Sequence, residues 1–336
     1  MLATTATDSK VALEVLRSRL TPQRIASLDL FRGVLMFILI GADFLAAYPF
    51  APAWFRHSPA FDSITLIDLG APLFVFAVGI SLGLVFLRCT TSSTVMVEMR
   101  RYVRRGLVLI AFGLIGSVLL HRSIRSDWEI YQTIGLAGII ALPFVTLRPR
   151  GRLAAAILLM LTFQAIARSE YGGWLRRVET GGLGGVLGGI AWAGVMLAGS
   201  TLSASLREGG RRLRLRLVIA GISSLAIAVV LRRLQPFDKL LVTASYLALS
   251  IGLSALALLL CDLASPRPRR WSLPFLVLGA NPLLAFILQG LGFLALTALI
   301  PASSPVRTVL LALVLLYAVC YLGTGWLYHR RSFIRL

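Results

Sequence analysis

LIDLGAPLFVFAVGISLGLVFL, residues 66–87, carries a single charged side chain, Asp68. A hydrocarbon layer about 30 Å thick is crossed by about 20 mostly apolar residues in a helix, and this stretch supplies them. Working outward, comparable stretches fall at 31–50, 105–121, 132–147, 152–168, 184–204, 215–232, 240–262, 273–299 and 306–328. They read as about ten spanning helices. The reading is an all-α, polytopic membrane helical bundle. The long stretch 273–299 is expected to bend or break near Gly290 and Gly292.

The whole chain agrees. It is 57% hydrophobic and 14% charged, with a mean hydropathy of +0.84. A soluble domain has about 25% charged residues, so the lipid bilayer is the expected solvent. The formal charge is +20, and its position excludes a nucleic-acid partner: the basic residues sit between apolar stretches rather than along one face or tail. On the side of the N-terminus the connections carry 23 Lys and Arg, against 10 on the other side. Basic residues collect on the cytoplasmic side, so both termini are expected there. The expected location is the inner (plasma) membrane, as a multi-pass protein. Residues 1–24 read as a cytoplasmic amphipathic segment, 25–329 as the transmembrane domain and 330–336 as a cytoplasmic tail. The first 20 residues lack the apolar core and small-residue site of a cleaved signal peptide. Cys89, Cys261 and Cys320 lie far apart, show no metal or disulfide spacing, and read as small buried apolar groups.

An ionisable group inside a span costs about 2.5–3.5 kcal/mol on insertion scales, so the few present are functional candidates. Asp43 lies 11 residues beyond Arg32 in the first span, about 16 Å deeper at 1.5 Å per residue. Asp68 opens the second span, and His57 sits on the connection between them. The three are placed to converge at the outer end of one helical hairpin. A histidine titrates near neutrality and serves as base or nucleophile, and a carboxylate beside it would orient it. His121 and His329 read as ordinary helix-end residues. Asp127, Glu129 and Gln132, and likewise Asp238 and Lys239, read as helix-end charges and caps. Asn281 and Gln289 read as interhelical hydrogen-bond partners. The small-residue run GGLGGVLGGIAWAGVMLAG (181–199) reads as helix packing. Walker, HExxH and GxSxG motifs are absent, and no His/Cys cluster suggests a metal.

RIASLDLFRGVLMFILIGAD (24–43) and WFRHSPAFDSITLIDLGAPLFVFAVGISL (54–82) resemble the transmembrane acyltransferases related to heparan-α-glucosaminide N-acetyltransferase. GGLGGVLGGIAWAGVMLAG, QPFDKLLVTASYLAL (235–249) and LGANPLLAFILQGL (278–291) extend the resemblance in the same order. A broader relative, the ten-helix O-acyltransferases of bacterial envelopes, places a His where this chain has Asp43, which favours the first family. The resemblance implies transfer of an acetyl group from cytoplasmic acetyl-CoA to an amine or hydroxyl of a sugar-like acceptor on the far side of the membrane. It maps a catalytic histidine onto His57 and a helix-opening aspartate onto Asp68. The family's Asn late in the first helix maps onto Asp43, a departure that bears on the acceptor. With acetyl-CoA as co-substrate, Arg32, Arg104 and Arg105 are placed to pair with its phosphates. Asn281 and Gln289 are placed to line the pantetheine passage. A homodimer is a further expected partnership. The competing reading is a proton-coupled small-molecule transporter that uses Asp43, Asp68 and His57. No inverted repeat supports it.

Overall fold

The computed structural model describes residues 25–57, 63–121, 128–178, 183–265, 270–330 and 332. The expected N-terminal amphipathic segment and nearly all of the short tail lie outside the described residues, as does Asp127.

Every regular element among the described residues is helical. In chain order they are α1 (Ala26–Ala46), α2 (Gly70–Phe86), α3 (Ser92–His121), α4 (Ile130–Val145), α5 (Pro149–Ala167), α6 (Glu170–Val178), α7 (Gly185–Ser200), α8 (Ser203–Glu208), α9 (Gly210–Arg232), α10 (Ala244–Ala264), α11 (Leu273–Ala280), α12 (Pro282–Leu299) and α13 (Val306–His329). Short 3₁₀ turns at Ala53–Phe55 and Ile67–Leu69 precede α2. Seven of the described segments are long and apolar enough to cross a membrane: Ile67–Phe86, Pro149–Ala167, Gly185–Glu208, Gly210–Arg232, Ala244–Ala264, Pro282–Leu299 and Val306–His329. The other expected spans fall on α1, which carries Asp29, Arg32 and Asp43, on α3, whose first half is basic, and on the shorter α4.

The outward faces are apolar. Ile219, Ile222, Val229 and Val230 of α9 and Leu311 and Val314 of α13 are all more than half exposed. Such a surface is stable against hydrocarbon and not against water. In lipid the apolar face gives no drive toward a neighbouring helix, so close packing of small residues must. The run read as packing does this. In the segment Gly185–Glu208, which holds α7 and α8, the window that could span a membrane is 78% buried, against 22% for α9, which makes α7 the central post. A Cβ on Gly79 of α2 would strike the Met196 carbonyl of α7, and one on Gly199 of α7 would strike the Phe76 carbonyl of α2. Trp192 of the same helix is fully buried, with its indole N–H on the Leu183 carbonyl at 3.0 Å.

Helix ends inside such a bundle leave carbonyls without partners. At the basic end, Arg152 of α5, 6% exposed, meets this need. Its Nε donates to the Leu147 carbonyl just beyond α4 at 2.9 Å, and its Nη1 to the Ser200 carbonyl closing α7 at 2.7 Å. A cation at two helix C-termini is also favoured by their dipoles.

The stretch 273–299 breaks, but not where expected. α12 runs through Gly290 and Gly292 without interruption, and the break falls at Asn281. The reason is Pro282, which lacks an N–H and whose ring disfavours the helical region for the residue before it. Asn281 accordingly sits at φ −133°, ψ 62°.

A Gly79→Leu substitution tests the packing. It should lower the thermal stability of the purified protein by about 1–3 kcal/mol or abolish its folding, followed by melting in detergent. Gly290→Leu, a site with open space around it, should cost far less.

Candidate active site

The connection from α1 to α2 is pinned before it reaches the site. Tyr48, buried just past α1, donates its hydroxyl to the Ile300 carbonyl beyond α12 at 3.3 Å. Arg56 donates to the Tyr48 carbonyl at 3.1 Å and also to that of Pro49. These carbonyls lie in the turn just beyond α1, so the guanidinium ties the connection back onto that turn immediately before His57.

His57 Nδ1 lies 2.7 Å from Asp68 Oδ1. The Asp68 side chain is fully buried, whereas that of His57 is 61% exposed. One member of the pair is therefore held by the fold while the other faces outward. Lys239 Nζ donates to the same Oδ1 at 2.7 Å. The Thr65 N–H and hydroxyl both donate to Oδ2 at 3.0 Å. A carboxylate surrounded by donors is an acceptor only, so the hydrogen on this side of the imidazole belongs to Nδ1. That leaves the His57 Nε2 lone pair free to take a proton. The backbone is held as well: the Tyr246 hydroxyl, fully buried in α10, donates to the Asp68 carbonyl at 2.5 Å.

Lys239 was read from the sequence as a helix-end charge. Its place at Asp68 comes from a turn that the fold builds with care. Asp238 Oδ1 accepts from the N–H groups of Leu240 and Leu241 at 2.8 and 3.0 Å. Asp238 Oδ2 takes Arg176 of α6 at 3.1 Å. Val242 is held at φ 45°, an uncommon conformation for a β-branched residue. Gln164 of α5 clamps that strained peptide, donating to the Val242 carbonyl at 2.9 Å and accepting from the Ala244 N–H at 3.0 Å. Two signals for Lys239 were present in the sequence: it is one of only two lysines, and it lies in the quoted stretch QPFDKLLVTASYLAL.

Asp43 does not touch His57 or Asp68 directly. It lies within electrostatic range of His57 and of the Tyr131 hydroxyl. Its Oδ2 accepts from Gln289 Nε2 of α12 at 2.9 Å, so the expected interhelical hydrogen bond of Gln289 is made to the candidate acid itself. The Gln289 Oε1 is buried and has no hydrogen-bond partner among the described residues. The aromatic wall here is continuous: Tyr131 meets Phe286 edge-on at 5.0 Å, and Phe286 meets Phe74 at 6.1 Å. Gln132, read as a helix-end group, is instead fully buried against Gly113 of α3, both amide atoms without partners among the described residues.

The other sequence-derived residues lie toward the opposite end of α1. Arg32 donates to the Ser81 hydroxyl of α2, and both Arg32 and Arg105 act electrostatically on Tyr102. The Arg105 guanidinium stands over the Tyr102 ring, 5.5 Å from its centre. Arg104, in contrast, is exposed on another face of α3, along a groove with Met96, Met99, Arg100, Val103 and Leu107. Asn281 is fully buried at the α11–α12 break, its amide 3.4 Å from the Ser332 carbonyl. No group of His, Cys, Asp and Glu fit to hold a metal occurs among the described residues.

Residues 24–233 match the sequence model of the heparan-alpha-glucosaminide N-acetyltransferase catalytic family. The chain belongs to that family. The match covers well over half of the chain, and it makes this a membrane acyltransferase of the acetyltransferase type. Among curated proteins none matches it. The family match contains Asp43, His57 and Asp68 but ends before Lys239, Tyr246 and Gln289. The fold brings those three back from α10, α12 and the turn before α10, so the site is completed by chain beyond the matched part.

Lys239 provides the sharpest test of that completion. Lys239→Met should cost about 1.5–3 kcal/mol of stability, the range for a hydrogen bond to a charged group, and should lower acetyl transfer. Lys239→Arg, which keeps a donor on Asp68, should retain most of both. Melting curves and turnover on the same preparations decide it.

Proposed function

We propose that the chain moves an acetyl group from cytoplasmic acetyl-CoA to an amine or hydroxyl of a sugar-like acceptor on the extracytoplasmic side of the inner (plasma) membrane. The observation that carries this reading is the half-exposed His57 held through Nδ1 by the buried Asp68 at 2.7 Å. The family match supports the reaction class. The excess of basic residues on the side of the N-terminus supports both termini facing the cytoplasm. The one apolar stretch before it, 31–50, then puts His57 on the opposite side.

The roles follow from chemistry. Acetyl-CoA presents its phosphates at the basic end, where Arg32 and Arg105 flank Tyr102. Guanidinium groups suit phosphate because they donate in a planar fork. The thioester is directed along the bundle past Gln289 toward Asp43 and His57. His57 Nε2 takes the proton of the acceptor amine or hydroxyl as its lone pair attacks the thioester carbon. The new C–N or C–O bond forms, the C–S bond breaks, and the proton on His57 returns to the departing thiolate. Asp68 orients the imidazole and stabilises it when protonated. Lys239 and Thr65 hold Asp68 in place for that role. Asp43, with Gln289, binds the acceptor close to His57.

His57→Ala should lower kcat by about 10²–10⁴-fold, the usual contribution of a positioned general base, while acetyl-CoA still binds. Asp68→Asn should fall in the same range, because an amide no longer enforces the Nδ1–H tautomer. Turnover of acetyl-CoA by the purified protein with an amino-sugar acceptor measures both. Full activity in His57→Ala, or labelling of position 57 only from the side of the two chain ends, would overturn the reading.

The two arginines are separable from this chemistry. Arg32→Gln and Arg105→Gln should each raise the KM for acetyl-CoA about tenfold or more, as loss of a charged hydrogen bond implies, with a smaller change in kcat. Initial rates across a range of acetyl-CoA concentrations check the split.

A further inference from the structure

Away from the site, α3 carries a surface that the reaction does not use. Met96, Met99, Arg100, Val103, Arg104 and Leu107 line a shallow groove of about 350 Å³. These positions recur at helical spacing, so they form one stripe. Arg100 and Arg104 stand one turn apart at its centre. Among the described residues neither has an ion-pair partner, whereas the neighbouring Arg101 is bound to Glu98. The stripe continues along α3 through Leu107, Leu114 and Val118, all exposed and apolar. Two free guanidinium groups thus head an exposed apolar track where the basic half of α3 gives way to its apolar half.

We propose that this groove binds an anionic phospholipid, its phosphate on Arg100 and Arg104 and an acyl chain along Leu107, Leu114 and Val118. Charge complementarity selects the headgroup, since basic residues at a membrane boundary attract anionic lipid. The apolar track selects a lipid over a free anion, which has nothing to bury there. A second copy of this chain fits poorly, because a two-fold contact sets the same patch against itself and would oppose the two arginine pairs. The geometry also separates Arg104 from Arg105: Arg105 stands over Tyr102 with Arg32 nearby, and Arg104 faces this groove. The proposal concerns lipid binding and stands apart from acyl transfer, so either can fail without the other.

The test uses the full chain in vesicles of phosphatidylcholine, with and without phosphatidylglycerol. Phosphatidylglycerol should raise the melting temperature, and added salt should weaken the effect by screening. In R100Q/R104Q, binding of a fluorescent phosphatidylglycerol should fall about thirtyfold, at about fivefold per basic residue, and the melting shift should disappear. R100K/R104K, which keeps both charges, should retain the shift, so a loss in the glutamine variant is not mere misfolding. Four results would overturn the proposal. The glutamine variant could bind the lipid as tightly as the parent. It could keep the lipid response and instead raise the KM for acetyl-CoA, which would return Arg104 to the nucleotide. Inorganic phosphate could reproduce the melting shift, which would make the groove a free-anion site. The variant could lose a dimer that the parent forms in phosphatidylcholine alone, which would make this face an interface between copies.

Discussion

A carboxylate without access to water must be given every hydrogen bond that water would have supplied, and Asp68 is the point where this protein meets that demand. Transferring an ionised carboxylate out of water costs several kcal/mol after relaxation, so it survives only where donors converge. Here they come from three places: His57 on the α1–α2 connection, Thr65 on the turn before α2 and Lys239 on the turn before α10, while Tyr246 holds the Asp68 backbone carbonyl. The requirement ties distant parts of the chain together. Lys239 is 171 residues from Asp68 in sequence, and the turn that presents it needs Asp238, Arg176, Gln164 and a strained Val242. Strain of that kind persists only where surrounding structure over-determines it. The result is a histidine oriented from below by a fixed acid and open on its other edge.

Electrostatics also shapes the opposite end of the bundle. Arg152 is a buried cation that donates to carbonyl oxygens at the ends of α4 and α7. Arg214 pairs with Asp262 at 2.9 Å and links α9 to α10. These contacts sit where basic residues are concentrated, yet their work is structural. Arg32 and Arg105 differ in gathering around one buried tyrosine. A count of basic residues treats all of these alike; only their partners distinguish a helix cap, an interhelical tie and a pair of guanidinium groups beside one tyrosine.

Between the two ends, close approach of backbones replaces the hydrophobic drive that a soluble core enjoys. Gly79 and Gly199 let α2 and α7 touch carbonyl to Cα, and van der Waals contact accumulates over that short distance. Because α2 follows directly from the 3₁₀ turn that holds Asp68, this packing also fixes the depth of the carboxylate. Stability and site geometry therefore share the same glycines.

Much of this was legible in the chain alone. The apolar stretches are long, so their helicity follows from the need to satisfy backbone groups in lipid. The charge bias between connections is a property of composition along the chain, and the rarity of charges inside the spans singled out Asp43 and Asp68, with His57 on the connection between them. What tertiary structure alone decided was which of the polar residues meet. The Asp68–His57 contact is local, eleven residues apart, and was anticipated; the Asp68–Lys239 and Asp43–Gln289 contacts close loops of 171 and 246 residues, and no periodicity encodes them. The helix break moved from Gly290 to Asn281 because a proline's missing N–H outweighs a glycine's flexibility in lipid, and Arg104 parted from Arg105 because adjacent residues on a helix face directions about 100° apart. Segment type follows from composition over a span, whereas contact between segments follows from side-chain direction and packing, which emerge only when the helices are assembled.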